Sequence, residues 1–284
     1  RFKTESIGSL AVPGKSRIPL SAPTFGVDEI LESIDSLVTR KVTIGDKVTR
    51  FEREFSRYCG VKSAVCLNSG SSANLLALVI LTNPDTKDAM KKQDEVVVPA
   101  VCWSTTVFPV ADVGLTPVLV DVDIETLNLD PGEMESAITE RTGAVMPVHL
   151  LGNPAVMDQI VRDAANHDLF VVEDACEAHG ASIGKTKVGA FGDLGTFSFY
   201  FSHHITTIEG GMLISNNEDY TELAKVLRAH GYVRDLRNAS EVSRRYPDID
   251  YRFLFINRGF NLRPTEIQGA FGIHQLRKLE GFIE

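Results

Sequence analysis

Five short apolar runs punctuate the first two thirds of the chain: "SAVCLNSG", "DEVVVPA", "TPVLVDVD", "GAVMPVHL" and "LFVVEDA". The first four lead into stretches with helical patterning: "SSANLLALVIL", "STTVFPVADVG", "PGEMESAIT" and "PAVMDQIVRDAANHD". Continuous apolar runs, rather than runs alternating with polar residues, mark strands buried on both faces. Strands separated by helices of about 10–15 residues pair side by side in parallel through crossovers. The expected fold is therefore α/β, a mainly parallel sheet sandwiched by helices. Right-handed crossovers bring the C-terminal ends of such strands to one edge, where ligands bind. The residues that follow each strand are the ones to read for chemistry.

Composition narrows the class further. With 43% hydrophobic and 24% charged residues in 284, the chain has the make-up of a globular protein. No apolar run approaches the roughly 18 residues of a membrane span, and the start lacks a signal-peptide layout, so a cytoplasmic location is expected. A formal charge of −9 argues against nucleic acid or a lipid surface as partner, while leaving anionic small molecules open. The four cysteines (Cys59, Cys66, Cys102, Cys176) form no CxxC pair, which disfavours zinc, iron–sulfur and disulfide frameworks and predicts buried thiols. Residues 1–26, with Pro13, Gly14, Pro19 and Pro23, read as an irregular arm. From Asp28 to Tyr58 an amphipathic helical pattern is interrupted near "TIGDKVT".

Four strand ends carry candidate site residues. After the first comes "NSGSSAN", where Ser69, Gly70, Ser71 and Ser72 open a helix; free backbone N–H groups there suit a phosphate, although Ser and Asn are also ordinary helix caps. Trp103, the single tryptophan, follows the second strand and fits either a stacking wall or a boundary position. The run "EDACEAHGA" places Glu173, Asp174 and Glu177 within five residues. A carboxylate at the end of a buried strand is costly unless it meets a cation or several donors. Asp174 is thus expected to face a protonated pyridine nitrogen or a structural arginine.

The fourth is "GTFSFYFSHHITTIEGG", a predicted strand from Thr196 to Phe201 followed by His203 and His204. Adjacent residues on an extended segment point opposite ways, so one histidine should face the site and the pair should not share a metal. No lysine occurs between Lys187 and Lys225. Farther on, Arg228, His230, Arg234 and Arg237 in "RAHGYVRDLRN" fit either a nucleotide diphosphate or solvated charge on a helix end and loop.

From "FEREFSRYCGVKSAVCLNSGSSAN" to "GFNLRPTEIQGAFGIHQLRKL" this ordered set resembles the DegT/StrS family of pyridoxal-phosphate (PLP) dependent nucleotide-sugar aminotransferases, a fold-type I group. The resemblance implies that Gly70, Ser71 and Ser198 bind the cofactor phosphate. Trp103 would stack on its ring and Asp174 would pair with its ring nitrogen. Asn261 would reach the phosphate of a neighbouring subunit, which implies a homodimer with shared sites. His203 stands where the family's aminotransferases carry the lysine that holds the cofactor covalently. Imidazole cannot replace that link, yet it can take and return protons near neutral pH.

The resemblance is therefore to the family's sugar 3-dehydratases, which use pyridoxamine phosphate (PMP) to remove the 3-hydroxyl of a nucleotide-linked 4-keto-6-deoxyhexose in deoxysugar and lipopolysaccharide synthesis. No cysteine follows Cys176, which points to the kind that needs only glutamate as amino donor rather than an iron–sulfur cluster and reductase. Glu177, where aminotransferases carry a neutral residue, fits the same branch and is counted with the cofactor-binding set. Arg228, His230 and Arg234 are the expected substrate ligands, with no metal. An ordinary sugar aminotransferase and a non-catalytic nucleotide-sugar binder are the alternatives. The final helical pattern carries no cap signal, so residues 27–284 are expected to form a large cofactor domain cut before a small C-terminal one.

Overall fold

A computed structural model describes residues 24–236 and 238–284. Most of the expected N-terminal arm, and Arg237, lie outside the described residues. Helices α1 (Val27–Val38) and α2 (Asp46–Cys59) flank the interruption near "TIGDKVT". Then follow β1 (Ser63–Leu67), α3 (Gly70–Leu81), β2 (Glu95–Pro99), α4 (Ser104–Asp112), β3 (Thr116–Val120), α5 (Pro131–Ala137), β4 (Thr142–Val145), α6 (Met157–Asn166) and β5 (Phe170–Asp174). Each strand–helix unit read from the sequence is present. A two-stranded ribbon, β6 (Ser182–Ile183) and β7 (Thr186–Lys187), precedes β8 (Leu194–Ser198) and β9 (Gly211–Ser215). Helices α7 (Glu218–Arg228), α8 (Ala239–Arg244) and α9 (Glu266–Ile283) complete the described chain.

The main sheet has the order β1-β9-β8-β5-β4-β2-β3. Its pairings are parallel from β3 through β8, while β9 runs antiparallel to both β8 and β1. All strands but β9 therefore share one direction and present their C-terminal ends at one edge. The exception has a simple cause: β9 follows β8 through a loop with no crossover helix, and only an antiparallel neighbour can be joined that way.

Alternation along the strands sends apolar side chains to two layers. Val96 and Val98 join Leu76, Ile80 and Leu227 on the α3 and α7 side, whereas Val97 packs with Met157 and Ile160 of α6 on the other. On that second side α2 and α9 cover the β1–β9–β8 end through Phe51, Phe55, Phe197, Phe199 and Ile273. Phe55 meets Phe197 and Phe199 edge-on at centroid distances of 5.0 and 5.4 Å. Each such ring contributes about 1.5–3 kcal/mol by burial. The aromatic end of the core lies directly under the loop that carries the histidines.

That loop departs from the expected strand of Thr196–Phe201. β8 stops at Ser198; Phe199 donates its N–H to the Gly210 carbonyl (2.9 Å) and accepts from the Thr207 N–H (2.9 Å), closing the loop on itself. Tyr200 to His203 form a turn, with the His203 N–H donating to the Tyr200 carbonyl at 3.0 Å. The histidines thus project from a turn and not from an extended end.

Candidate active site

The strand C-terminal edge holds a cavity of about 410 Å³. Ser69, Gly70 and Ser71 from the start of α3, Trp103 before α4, Asp174 and Glu177 after β5, and Ser198 and His203 after β8 all line it. Crossover topology alone collects these residues, since each follows a different strand.

At the α3 end, the Ser72 N–H donates to the Ser69 hydroxyl (3.1 Å), so Ser69 is the helix cap. The N–H groups of Gly70 and Ser71 have no partner among the described residues, which leaves the first turn open to an anion. Gly70 is required by proximity: a Cβ there would stand 2.5 Å from Ser198 Cβ and 3.0 Å from Cys176 Sγ. Gly211 of the "EGG" run plays the complementary part, since its Cβ would fall 2.1 Å from the Ser69 carbonyl oxygen. The two glycines let β8, β9 and the α3 turn close around one small space.

The neighbouring carboxylates of β5 divide by face. Glu173 is fully buried and accepts from the N–H groups of Gly189, Phe191 and Gly192 (each 2.7 Å), with His149 Nε2 at 3.0 Å; it is a structural anchor. Asp174, 4% exposed, turns the other way into the cavity. Its Oδ2 accepts from Asn74 Nδ2 and from the Thr106 hydroxyl, both at 2.8 Å, and Oδ1 accepts from the Cys176 N–H at 3.2 Å. The Thr196 hydroxyl donates to Asn74 Oδ1 (2.6 Å), which fixes the amide so that its NH₂ faces Asp174. No arginine or lysine lines the cavity, so among the described residues this buried carboxylate has donors but no cation. Of the two partners expected for Asp174, the structural arginine is not found among the described residues. A ligand carrying positive charge at one end and a phosphate at the other fits the pair formed by Asp174 and the α3 turn, which are the charge requirements of a protonated PLP or PMP ring.

Sequence reading passed over Asn74 and Thr106. Their signal was present: Asn74 lies four residues after Gly70, one helical turn along the same face, and Thr106 sits in the first turn of α4. Tyr200, Ser202, Glu209 and Cys176 also line the cavity. Cys176 is half-buried rather than a core thiol, and burial beside Asp174 pushes its pKa well above the ordinary value, so it stays protonated.

His203 lines the cavity; His204, more exposed, does not. Burial lowers the pKa of both below the ordinary 6.5, against the opposing pull of Glu177. Glu177 itself accepts the Leu151 N–H (2.8 Å), which ties the β5 turn to the opposite wall. Behind them His179 is buried, and burial followed by its two histidine neighbours holds it well below 6.5. Histidines kept neutral in the fold are protonated once unfolded, so stability falls as pH drops below about 6.5. The buried His179 adds up to about 1.4 kcal/mol per pH unit, and the more exposed pair less. Urea midpoints at pH 7.5 and 5.5 should show this loss; equal midpoints would mean that these histidines titrate normally.

The remaining expected ligands lie elsewhere. Arg228 must be removed from the substrate set: it is 6% exposed, and its Nη1 donates to Glu52 Oε1 (2.6 Å) and to the Cys66 carbonyl (2.7 Å), tying α7 to α2 and β1. An arginine committed to a buried pair has no free fork for a diphosphate. His230, at φ 66°, stands edge-on to Tyr232, whose ring also lies under the Arg234 guanidinium at 4.6 Å; neither lines the cavity. Asn261 is exposed, accepts from Arg263 Nε (2.9 Å) and lies outside the cavity of its own chain.

A family model for the DegT/DnrJ/EryC1/StrS aminotransferases matches residues 24–284, and the chain belongs to that family. It is closely related to two proteins named GDP-4-keto-6-deoxy-D-mannose 3-dehydratase. That from Yersinia pseudotuberculosis is 41% identical over 269 residues, covering 94% of this chain and 68% of the relative. That from Escherichia coli O55:H7 is 40% identical over 268 residues, covering 93% and 69%. Among solved structures, a GDP-4-keto-6-deoxymannose-3-dehydratase with a trapped PLP-glutamate geminal diamine superposes with a TM-score of 0.87 at 38% identity, covering 93% of this chain and 69% of that one. The chain thus spans about two thirds of the length of these relatives.

Proposed function

We propose that this chain carries the active site of a PLP/PMP-dependent 3-dehydratase acting on a nucleotide-linked 4-keto-6-deoxyhexose, with glutamate as amino donor. The observation that carries the reading is the composition of the cavity: His203 opposite a cation-free buried Asp174, with no lysine among the lining residues. Names of the relatives supply the reaction class, and the solved relative that holds a PLP-glutamate adduct supports both cofactor and donor. Among the described residues an aminotransferase reading has no lining lysine to rest on, and a non-catalytic binder would have no use for a neutral imidazole at the cavity wall.

Bound here, the cofactor would supply an electron sink that allows a carbon–hydrogen bond to ionise and a neighbouring hydroxyl to leave. Gly70, Ser71 and Ser198 would hold its phosphate, Trp103 would lie against its ring, and Asp174 would hold a positive charge on the ring nitrogen. Asn74 and Thr106 keep the Asp174 carboxylate aimed. His203, neutral at pH 7 because burial lowers its pKa, can remove a proton and return it as an imidazolium to the departing hydroxyl. Glu177 opposes that lowering, so the imidazolium is not excessively costly. His230 and Arg234 remain candidates for the nucleotide. The same reading carries a cytoplasmic homodimer with it.

The decisive assay incubates the protein with PLP, glutamate and a panel of nucleotide-4-keto-6-deoxysugars. The expected product is a nucleotide sugar lighter by one oxygen, formed with 2-oxoglutarate and ammonia. An amino sugar in its place would establish the aminotransferase reading. For shared sites, mixing a His203 variant with an Asn261 variant should restore activity through dimers that contain one intact site. No recovery after demonstrated subunit exchange would confine Asn261 to its own subunit or remove it from the site.

A further inference from the structure

Behind the cavity wall lies an imidazole that the mechanism above does not use. His179 is 3% exposed; among the described residues the Ser198 backbone is the one hydrogen-bond partner near its ring, short of full geometry, and it leaves the other ring nitrogen open. Its ring is enclosed by aromatic neighbours: Phe197 and Phe199 lie at centroid distances of 5.6 and 5.5 Å, His204 at 5.6 Å and His203 at 6.1 Å. A buried polar group without a partner is destabilising, and a phenyl ring of similar shape would fill the space without that cost. The histidine is poorly suited to packing alone, and its open nitrogen belongs to a ring 6.1 Å from that of the side chain to which the reaction gives a proton.

We propose that His179 is a positioning residue for His203, a neutral imidazole whose lone pair receives the N–H of the His203 imidazolium through one bridging water, the separation that ring centroids 6.1 Å apart allow. The inference rests on the dehydratase reading for its purpose, but the contact itself does not. The groups that face His203 are His179, His204, Glu177, Asp174 and Tyr200. Of these, His179 is the one that packs against the aromatic core, on Phe197 and Phe199. The carboxylates of Glu177 and Asp174 favour the imidazolium by charge, whereas His179 offers an acceptor for the bridging water on the side away from bulk solvent. His179 stays neutral when this happens, since burial and the charge on His203 both oppose its protonation. An imidazolium held by a fixed acceptor keeps its acidic N–H in one orientation, as returning a proton to a leaving group requires.

Nuclear magnetic resonance on histidine-labelled protein, without substrate, tests the contact. In the unsubstituted protein the ring ¹⁵N shifts of His179 should move as His203 titrates, while His179 remains neutral. His179→Phe should lower the His203 pKa by about one unit, the size expected from loss of a hydrogen bond to the charged form, and His179→Gln, which keeps an acceptor, should restore most of it. In assays the acid limb of the pH–rate profile should move with the His203 pKa. A His203 pKa unchanged in folded His179→Phe, or His179 shifts that ignore the His203 titration, would overturn the proposal. A coupled pair in a protein that yields no deoxysugar would sink the dehydratase reading and leave the contact standing.

Discussion

His203→Asn should abolish dehydration, by about 10²–10⁴-fold or below detection, because the substitution removes the cavity-lining imidazole, whose ordinary pKa suits it to exchange a proton near neutral pH. Asparagine keeps polarity and approximate size, so cofactor binding through the α3 turn and Asp174 should survive, and the loss should appear in kcat. His204→Ala is the internal control: its ring does not line the cavity, and most activity should remain. A second arm fixes the direction in which His203 points. Borohydride treatment of the unsubstituted protein with PLP should give no covalent adduct, whereas His203→Lys should give one at that residue, since a buried amine beside a cationic ring is held neutral and nucleophilic. Full activity in His203→Asn would move the proton-transfer role to His204 or end it.

How much of this could be read without coordinates depended on range. The α/β class and each strand–helix unit through β5 were legible, because apolar continuity and helical period are local signals. The strand β9 was not read: "GMLIS" opens on the second of two adjacent glycines and looks like the tail of a loop until β8 and β1 are seen to need a partner between them. The end of β8 was placed too late, since "SFYF" has strand composition, yet the Gly210 and Thr207 contacts to Phe199 turn the backbone. At the site, residues defined by strand ends came together as expected. Arg228 shows the limit: its charge suggested phosphate, but Glu52, far off in sequence, claims it in the interior. The pairing of Asp174 with Asn74 and Thr106 is likewise a long-range fact, as is the division between Glu173, which anchors loops, and Asp174, which faces the cavity.

Asp174→Asn should uncouple the fold from the cofactor. Without ligand the native carboxylate is buried among donors alone, so its stability rests on Asn74, Thr106 and the Cys176 N–H. Asparagine keeps one acceptor toward Asn74 and Thr106 but sets an NH₂ against the Cys176 N–H, a change worth about 1 kcal/mol. With ligand the comparison differs in kind. The native carboxylate meets a positive ring nitrogen in a site shielded from water, a charge-assisted bond worth about 1.5–3 kcal/mol, so the variant should bind PLP roughly 10–100-fold more weakly. Thermal unfolding reads both terms in one experiment. PLP at 100 times its Kd should stabilise the unsubstituted protein by about 2.7 kcal/mol, and the same concentration should stabilise Asp174→Asn by about 0.4–1.4 kcal/mol. Turnover should fall further than binding, because the ring nitrogen then lacks the partner that keeps it protonated as electrons flow into the ring. Equal stabilisation of both proteins by PLP would show that Asp174 faces no positive charge, and the orientation of the cofactor between Asp174 and the α3 turn would have to be reversed.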